Sequence, residues 1–486
     1  MSSTLNKTPC LDKHKHYLPL YKSKDTFWGI GIENETYLQF SKPKCVTRDF
    51  MLRNHKDERY SVDYFANYKP AVFVPALSKH LTKPKYDLPV LMNSHSFQST
   101  DAKNQPKTLY KKDTPPNPKF AGRTLIELLQ EKDPFFKNGY MTQFIFDGDT
   151  IEFATNRFYK ATIEDVIQEL TDMKASFIEK VRTIFAEESI FPEYGEIDFA
   201  KKNHGLATFM TNLNNVAIFN NMTYHFNITL PTKLDDNAQV QDPETFVRSH
   251  QNAIRVVQWI VPLLIAKYGA PDVLATASDQ LGHPLTHASQ RVALSRYIGA
   301  GSYDTNRMPR GKLLNAPFHE TSYYNLPYWW YHPYYKKCGY IRCDSIGFDF
   351  NFNKHKNHGI EFRVIDYFPE EQLHEFMCLL VYLMDHSLCA DASNPVEDPQ
   401  WNDMMYEVIL KGDAAELTSF MIEPLKQLFN LPYKTLSTKS PLALLKTIQD
   451  KLCTMYHGEG VCSKLMIRTE PQKTEVTCKT SGCNIA

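Results

Sequence analysis

No stretch of these 486 residues is long and apolar enough to cross a bilayer. The most apolar run, Val256 to Ala266, is broken by Gln258 and Pro262 and falls well short of the roughly 20 residues a spanning helix needs. The N-terminal segment MSSTLNKTPCLDKHKHYLPLYKSKD has basic residues but no apolar stretch of secretory type, and it reads as a cytosolic start. Net charge is missing too. The 55 Lys and Arg balance 55 Asp and Glu, which removes the electrostatic reason to expect nucleic-acid or anionic-membrane partners. The ten cysteines lack a compact disulfide spacing, which suits reduced thiols in the cytoplasm. Cys338/Cys343 and Cys478/Cys483 each lack the second half of a structural zinc site. There is no Walker A loop, no H-E-x-x-H pair and no internal repeat, so P-loop chemistry and zincin-type hydrolysis are disfavoured.

With 42% apolar and 13% aromatic residues, the chain has enough material for an extensive core. FWGIGIENETYLQF (27–40) alternates and is rich in β-formers, and a strand is expected to begin just after its glycines. Residues 78–120 are dense in Lys, Pro, Asn, Ser and Thr and read as a long loop insertion. A helix is expected over 124–132, then a strand pair within YMTQFIFDGDTIEFATN turning at Asp147-Gly148. A long amphipathic helix spans 161–187, with Thr162 as its N-cap. MTYHFNITLP (222–231) is another strand, closed by its proline, and 244–268 is a helix ending at Gly269. A basic loop (291–312), an aromatic stretch (Tyr323–Tyr335), strands around 346–353 and 359–367, a helix over 371–388 and a disordered tail (468–486) complete the pattern. The organisation expected is an N-terminal extension over 1–26 and one catalytic domain over 27–467.

Four of these strands carry chemistry on one face. Glu33 and Glu35 are two apart, so both carboxylates project from the same side. They can form half a cation site or simply face solvent. Glu152 sits among apolar neighbours, with Asp147 and Asp149 upstream as further acidic candidates. His225 and Asn227 share one face, as do Glu361 and Arg363, where an internal ion pair is the plainer reading. Together they describe a polar sheet surface suited to hard divalent cations bound through oxygen and one imidazole.

These segments resemble the glutamate-cysteine ligase family. GIENETYL is similar to its first-strand motif, and DTIEFATNRFYKATIEDVIQEL resembles its strand-to-helix segment. YHFNITLP resembles its histidine strand, AIRVVQWIVPLLIAKYGAP the following helix, and HGIEFRVIDYFP the late strand with glutamate and arginine, all in the family's order over roughly residues 27–390. The resemblance implies an α+β fold of glutamine-synthetase type, a curved and mainly antiparallel sheet with helices on its convex face. It implies an ADP-forming carboxylate-amine ligase acting on amino-acid or small-peptide substrates through an acyl phosphate. Two or three Mg²⁺ or Mn²⁺ ions would be held by Glu33, Glu35, Glu152, His225 and Glu361. Arg363 would stabilise the transferring phosphoryl group, with Glu361 beside it as ligand or orienting residue. Asn227, Arg296, Arg307, Arg310 and Lys312 are candidates to bind substrate or ATP, although a solvated basic loop accounts equally for the last four. A catalytically inactive relative serving as a binding or structural protein is the alternative.

Overall fold

The computed structural model describes residues 27–47, 85–88, 90–92, 94–98, 124–147, 150–155, 163–202, 223–233, 235, 239–270, 288–289, 303–308, 349–353 and 359–457. Its strands are β1 (Phe27–Thr36), β2 (Leu38–Phe40), β3 (Lys44–Thr47), β4 (Lys85–Leu88), β5 (Leu91–Met92), β6 (Phe144–Asp147), β7 (Thr150–Ala154), β8 (Ile197–Phe199), β9 (Thr223–Thr232), β10 (Phe350–Phe352) and β11 (Ile360–Phe362). Its helices of eight residues or more are α1 (Leu125–Lys132), α2 (Ile163–Glu187), α3 (Pro243–Tyr268), α4 (Leu373–Ser387), α5 (Pro399–Lys411), α6 (Ser419–Leu428) and α7 (Pro441–His457). The architecture is α+β. Six strands form one antiparallel sheet in the order β10-β11-β9-β1-β7-β6, and β5-β2-β8 and β3-β4 form two smaller sheets.

Alternation along the central strands divides the large sheet into two unlike faces. Ile30, Ile32, Ile151, Phe153, Phe226, Ile228, Ile360 and Phe362 lie on one face and are buried. Each such side chain is worth about 1.5–3 kcal/mol when withdrawn from water. The helices pack on this face. Phe177 of α2 meets Phe153 at 5.1 Å and Phe144 at 4.9 Å between ring centroids, while Phe376 of α4 meets Phe226 at 4.7 Å. α2 reaches the sheet through Val166, Leu170, Met173, Phe177, Val181 and Ile184, the helical period expected of it. Its expected cap, Thr162, lies outside the described residues.

Several expectations need correction. The strand expected to begin just after the glycines runs through them, from Phe27 to Thr36, and Leu38–Phe40 leaves for a different sheet, pairing with β5 and β8. Within the insertion read over 78–120, Lys85–Leu88 pairs with β3, and Val90, Leu91, Met92 and Phe97 are core residues. Their short apolar clusters were masked by the polar composition on either side. β9 continues through Pro231 to Thr232, and β11 stops at Phe362, so Arg363 follows its strand rather than belonging to it. Gly269 ends α3 with an extended backbone. It is needed for close approach, because a Cβ there would stand 2.1 Å from the Ala288 carbonyl oxygen. Reduced thiols are found at Cys378 and Cys453, but Cys389 is disulfide-bonded. Helices α5, α6 and α7 answer no specific expectation. They pack around α3 and α4 through Trp401, Met404, Val408, Ile422, Leu425, Leu444 and Ile448. The aromatic stretch 323–335 and the tail 468–486 lie outside the described residues.

His250 of α3 ties the helix layer to the sheet. Its Nε2 accepts from the Leu230 amide at 3.0 Å, and its Nδ1 donates to the Phe246 carbonyl at 2.7 Å. Burial pushes this imidazole down to about 4, so it stays neutral in the fold at physiological pH. Gly359, at φ +65°, leads into β11 directly against this junction. A Cβ there would meet the Ile228 carbonyl oxygen at 2.4 Å, Thr229 Cα at 2.8 Å and His250 Nε2 at 2.9 Å. Two of these neighbours are backbone and cannot swing aside. Gly359→Ala is therefore expected to cost about 3 kcal/mol or more, measured as the shift in a urea unfolding midpoint; an unchanged midpoint would refute the constraint.

Asp385 generates a second expectation. It is 3% exposed on α4 and its Oδ1 has no hydrogen-bond partner. Burial pushes its carboxyl up to about 6. A raised carboxyl favours the fold at low pH, and this contribution is lost as pH rises from the ordinary value through about 6. Asp385→Asn should thus stabilise the protein by about 2 kcal/mol near pH 7.5 and by little near pH 4. Chemical denaturation at both pH values tests this, and equal gains would contradict it.

Candidate metal centre

Antiparallel register brings the polar residues of the large sheet together on the face opposite the helices. Glu33 of β1 stands across from His225 of β9, and Glu35 stands across from Glu152 of β7. Asn227 of β9 faces Glu361 of β11, which in turn faces Asn351 of β10. β6 and β7 pair as the sequence suggests, but Asp147, expected in the turn with Gly148, is the last residue of β6 and pairs with Thr150; residues 148 and 149 lie outside the described residues. The pairings Asp147↔Thr150 and Ile145↔Glu152 place Asp147 on the face of Glu152. Asp147 thus joins Glu35 and Glu152, while Asp149, the other upstream candidate, lies outside the described residues.

Two groups of possible ligands result. In one, ligand atoms of Glu33, His225 and Glu361 all lie within 4.8 Å of one another; in the other, those of Glu35, Asp147 and Glu152 do. Glu33 and Glu35 are two strand residues apart, about 6.6 Å, so the groups are neighbours on one surface. His225 stands between them: its Nδ1 is 3.4 Å from Glu33 Oε2, 3.6 Å from Glu35 Oε1 and 3.6 Å from Glu361 Oε1. The other ring nitrogen, Nε2, is 3.1 Å from the Thr223 hydroxyl. When Nε2–H donates to that hydroxyl, the Nδ1 lone pair faces the carboxylates, as a metal ligand requires. Only Asp147 of the six is exposed.

Supporting contacts orient the carboxylates. Asn227 donates to Glu33 Oε1 at 3.2 Å, and Asn351 donates to Glu361 Oε2 at 2.6 Å. Arg363 donates from Nη1 to Glu361 Oε1 at 3.2 Å, and its own amide donates to the Asp349 carbonyl at 2.7 Å. Burial alone would depress the Arg363 guanidinium. Glu361, Glu35, Glu33 and Asp147 outweigh that and hold it above its ordinary value, so it is a permanent cation. Asn227 Oδ1 and Arg363 Nε, both buried in this basin, have no hydrogen-bond partner among the described residues. One is an acceptor and the other a donor. A bound cation would satisfy the first and an anion the second, so the residues present fit a divalent metal carrying an anionic ligand.

Sequence reasoning found Glu33, Glu35, Glu152, His225, Asn227, Glu361 and Arg363, and the structure assembles all seven. It missed Thr223 and Asn351, which earn their roles only through register. Arg307 makes no hydrogen bond or ion pair with the two ligand groups among the described residues. It is 48% exposed, pairs with Asp304 at 3.2 Å, and belongs to a segment bonded to α3 through Gln251 and Arg255. Arg296, Arg310, Lys312 and Asp149 lie outside the described residues.

Mn²⁺ at about a hundred times its Kd should stabilise the fold by about 2.7 kcal/mol. Asn351→Ala should weaken Mn²⁺ affinity about 10- to 100-fold with the far-UV spectrum unchanged. Thermal melts with and without Mn²⁺, backed by titration calorimetry, test both; identical melts for the wild type would count against a metal centre.

No family model matches the chain, and no solved structure matches it. It is 38% identical over 415 residues to "Uncharacterized protein R704" of Acanthamoeba polyphaga mimivirus, an alignment covering 85% of this chain and 72% of that protein. Identity at this level across most of both sequences is a family relationship, and the chain belongs to the family of that mimivirus protein.

Proposed function

We propose that the protein is an ATP- and divalent-metal-dependent carboxylate-amine ligase, similar to the glutamate-cysteine ligases, with a catalytic domain of glutamine-synthetase type. One observation carries the reading: two three-group ligand clusters lie side by side on one face of an antiparallel sheet, with a buried arginine at their edge. Five carboxylates and one imidazole form an oxygen-rich set, which suits Mg²⁺ or Mn²⁺ better than thiophilic metals. Glu33, His225 and Glu361 would hold one ion, and Glu35, Asp147 and Glu152 another. The ions, when bound, would supply charge compensation for nucleotide phosphates.

The chain's own groups fit the remaining tasks. Arg363 keeps its positive charge against burial, and its partnerless Nε is a donor available to a phosphoryl oxygen. A guanidinium presents several donors in a fixed fork, which a lysine cannot reproduce. Glu361 holds Arg363 in place with one oxygen, while Asn351 fixes the other. In the reaction proposed, a substrate carboxylate takes the terminal phosphoryl group of ATP. An amine then attacks the acyl phosphate, forming the amide and releasing phosphate. The carboxylate is an amino acid or small peptide, as is the amine.

ADP release from ATP, followed across a panel of amino acids and amino-acid pairs with Mg²⁺ or Mn²⁺, tests the proposal. Release should require one acid and one amine together. Arg363→Ala, Arg363→Lys and Glu152→Gln should each lower it by about 100-fold or more. A wild-type protein that binds metal but neither binds nucleotide nor turns over any pair would sink the ligase reading and leave a binding or structural role for the fold.

A further inference from the structure

The helix layer carries a second group of reactive side chains, apart from the carboxylate clusters. His374, Cys378 and Tyr382 are spaced four apart along α4, so they line one stripe of that helix. Glu164, in the first turn of α2, meets the start of the stripe. His374 Nε2 stands 3.2 Å from Glu164 Oε1, and His374 Nδ1 stands 3.7 Å from Cys378 Sγ. Carboxylate, imidazole and sulfur thus follow one another in a line.

The chemistry of the three groups fixes their roles. A carboxylate can only accept, so His374 donates to Glu164 from Nε2–H. The neutral ring then keeps its lone pair on Nδ1, the nitrogen that faces the sulfur. Cys378 carries its sulfur as a thiol, and the larger radius of sulfur leaves the S–H within reach of that lone pair. A nucleophile beside a base, with the base oriented by a third group, is the arrangement that activates a thiol.

The group is open to reagents. The His374 side chain is 56% exposed and that of Glu164 66%, and Cys378 is part-exposed. On the inner side lies Tyr456 of α7: burial, then Asp385 and Cys378, push its phenol up, which sets Cys378 within electrostatic reach of that ring. Tyr382, one turn along the stripe, packs on Tyr456 at 4.9 Å between ring centroids. Fully buried cysteines are inert, whereas a part-exposed thiol with an imidazole at hand is the reactive case. An exposed carboxylate–imidazole pair adds little to stability, so it can be altered without loss of the fold.

We propose that Cys378 is a nucleophilic thiol that exchanges with low-molecular-weight disulfides, with His374 as its base and Glu164 as the positioning residue that holds the base. His374 Nδ1 takes the thiol proton, and the Cys378 sulfur attacks one sulfur of a disulfide RSSR. The S–S bond of RSSR breaks as the new bond between Cys378 Sγ and one SR half forms. The other half leaves as thiolate and receives the proton from His374, departing as RSH. Cys378 is oxidised and the departing half reduced, so the disulfide is the only oxidant needed. Neither metal nor nucleotide enters this exchange, and it stands or falls apart from the ligase reading.

The test is peptide-resolved mass spectrometry of the full chain after timed exposure to hydroxyethyl disulfide at neutral pH in EDTA, with Cys453 of α7 as the internal reference. Cys378 should form the mixed disulfide, and dithiothreitol should reverse it. His374→Gln should slow its formation about tenfold and Glu164→Gln about threefold, with the rate at Cys453 and the melting temperature unchanged. No mixed disulfide at Cys378, or equal rates in the wild type and His374→Gln, would overturn the proposal. A fall shared equally by Cys453 would overturn it too, because access and not the imidazole would then set the rate. An unchanged rate in Glu164→Gln would remove the positioning role.

Discussion

Everything at the candidate site depends on holding carboxylates close together away from bulk water. Glu33, Glu35 and Glu361 are at most 5% exposed, and each has an oxygen within 3.6 Å of a single imidazole nitrogen. Like charges at such separations oppose one another strongly once water is excluded. No residue choice on the polar face itself removes that cost. The driving force comes from the opposite face, where aromatic and branched side chains bury against α2, α3 and α4. The sheet works as a plate whose apolar side supplies the stability with which its polar side is held together.

The polar side is specified by register more than by composition. β1 contributes a carboxylate to each cluster, and its neighbours contribute the rest only because Glu33 meets His225 and Glu35 meets Glu152. A slip of one residue would turn both glutamates toward the helices and bring Ile32 and Asn34 to the polar face. The devices that prevent this lie at the margins of the sheet. His250 locks α3 to the Leu230 amide, and Gly359 lets β11 approach the same backbone at a distance no side chain allows. His250 is far from Glu361 in sequence and Gly359 is two residues before it, and both bear on how β11 meets β9.

What could be read without coordinates follows from the same division. Alternation within one strand is local, so the shared faces of Glu33 and Glu35, of His225 and Asn227, and of Glu361 and Arg363 were legible, as were α2 and α3 from their periodicity. Partnership between strands is not local. Asn351 and Thr223 look like ordinary polar strand residues until pairing sets them against Glu361 and His225. Asp147 was named as a candidate beside Asp149, but the turn expected at Asp147-Gly148 left it out of the strand, and only the pairing of Asp147 with Thr150 sets it on the face of Glu152. Composition misled over 85–98, where buried Leu91, Met92 and Phe97 sit inside a polar stretch. The helices past residue 398 went unread although Asp398-Pro399 is a clear helix start and Trp401, Met404, Met405 and Val408 recur at helical spacing.

The two partnerless atoms in the basin sharpen what the arrangement is for. A site built only to hold cations needs acceptors, and Asn227 Oδ1 with the carboxylates supplies them. Arg363 does not fit such a site. A guanidinium beside metal ligands competes with the metal for the same oxygens, and here it takes one from Glu361. Its presence makes sense if the occupant brings negative charge of its own, because the metal and the guanidinium then share an anion instead of opposing each other. A structural metal would be served better by an aliphatic residue at position 363, which would leave Glu361 free to coordinate with both oxygens. On the function proposed, the arginine is therefore the feature that would separate a phosphoryl site from a metal that merely staples a sheet.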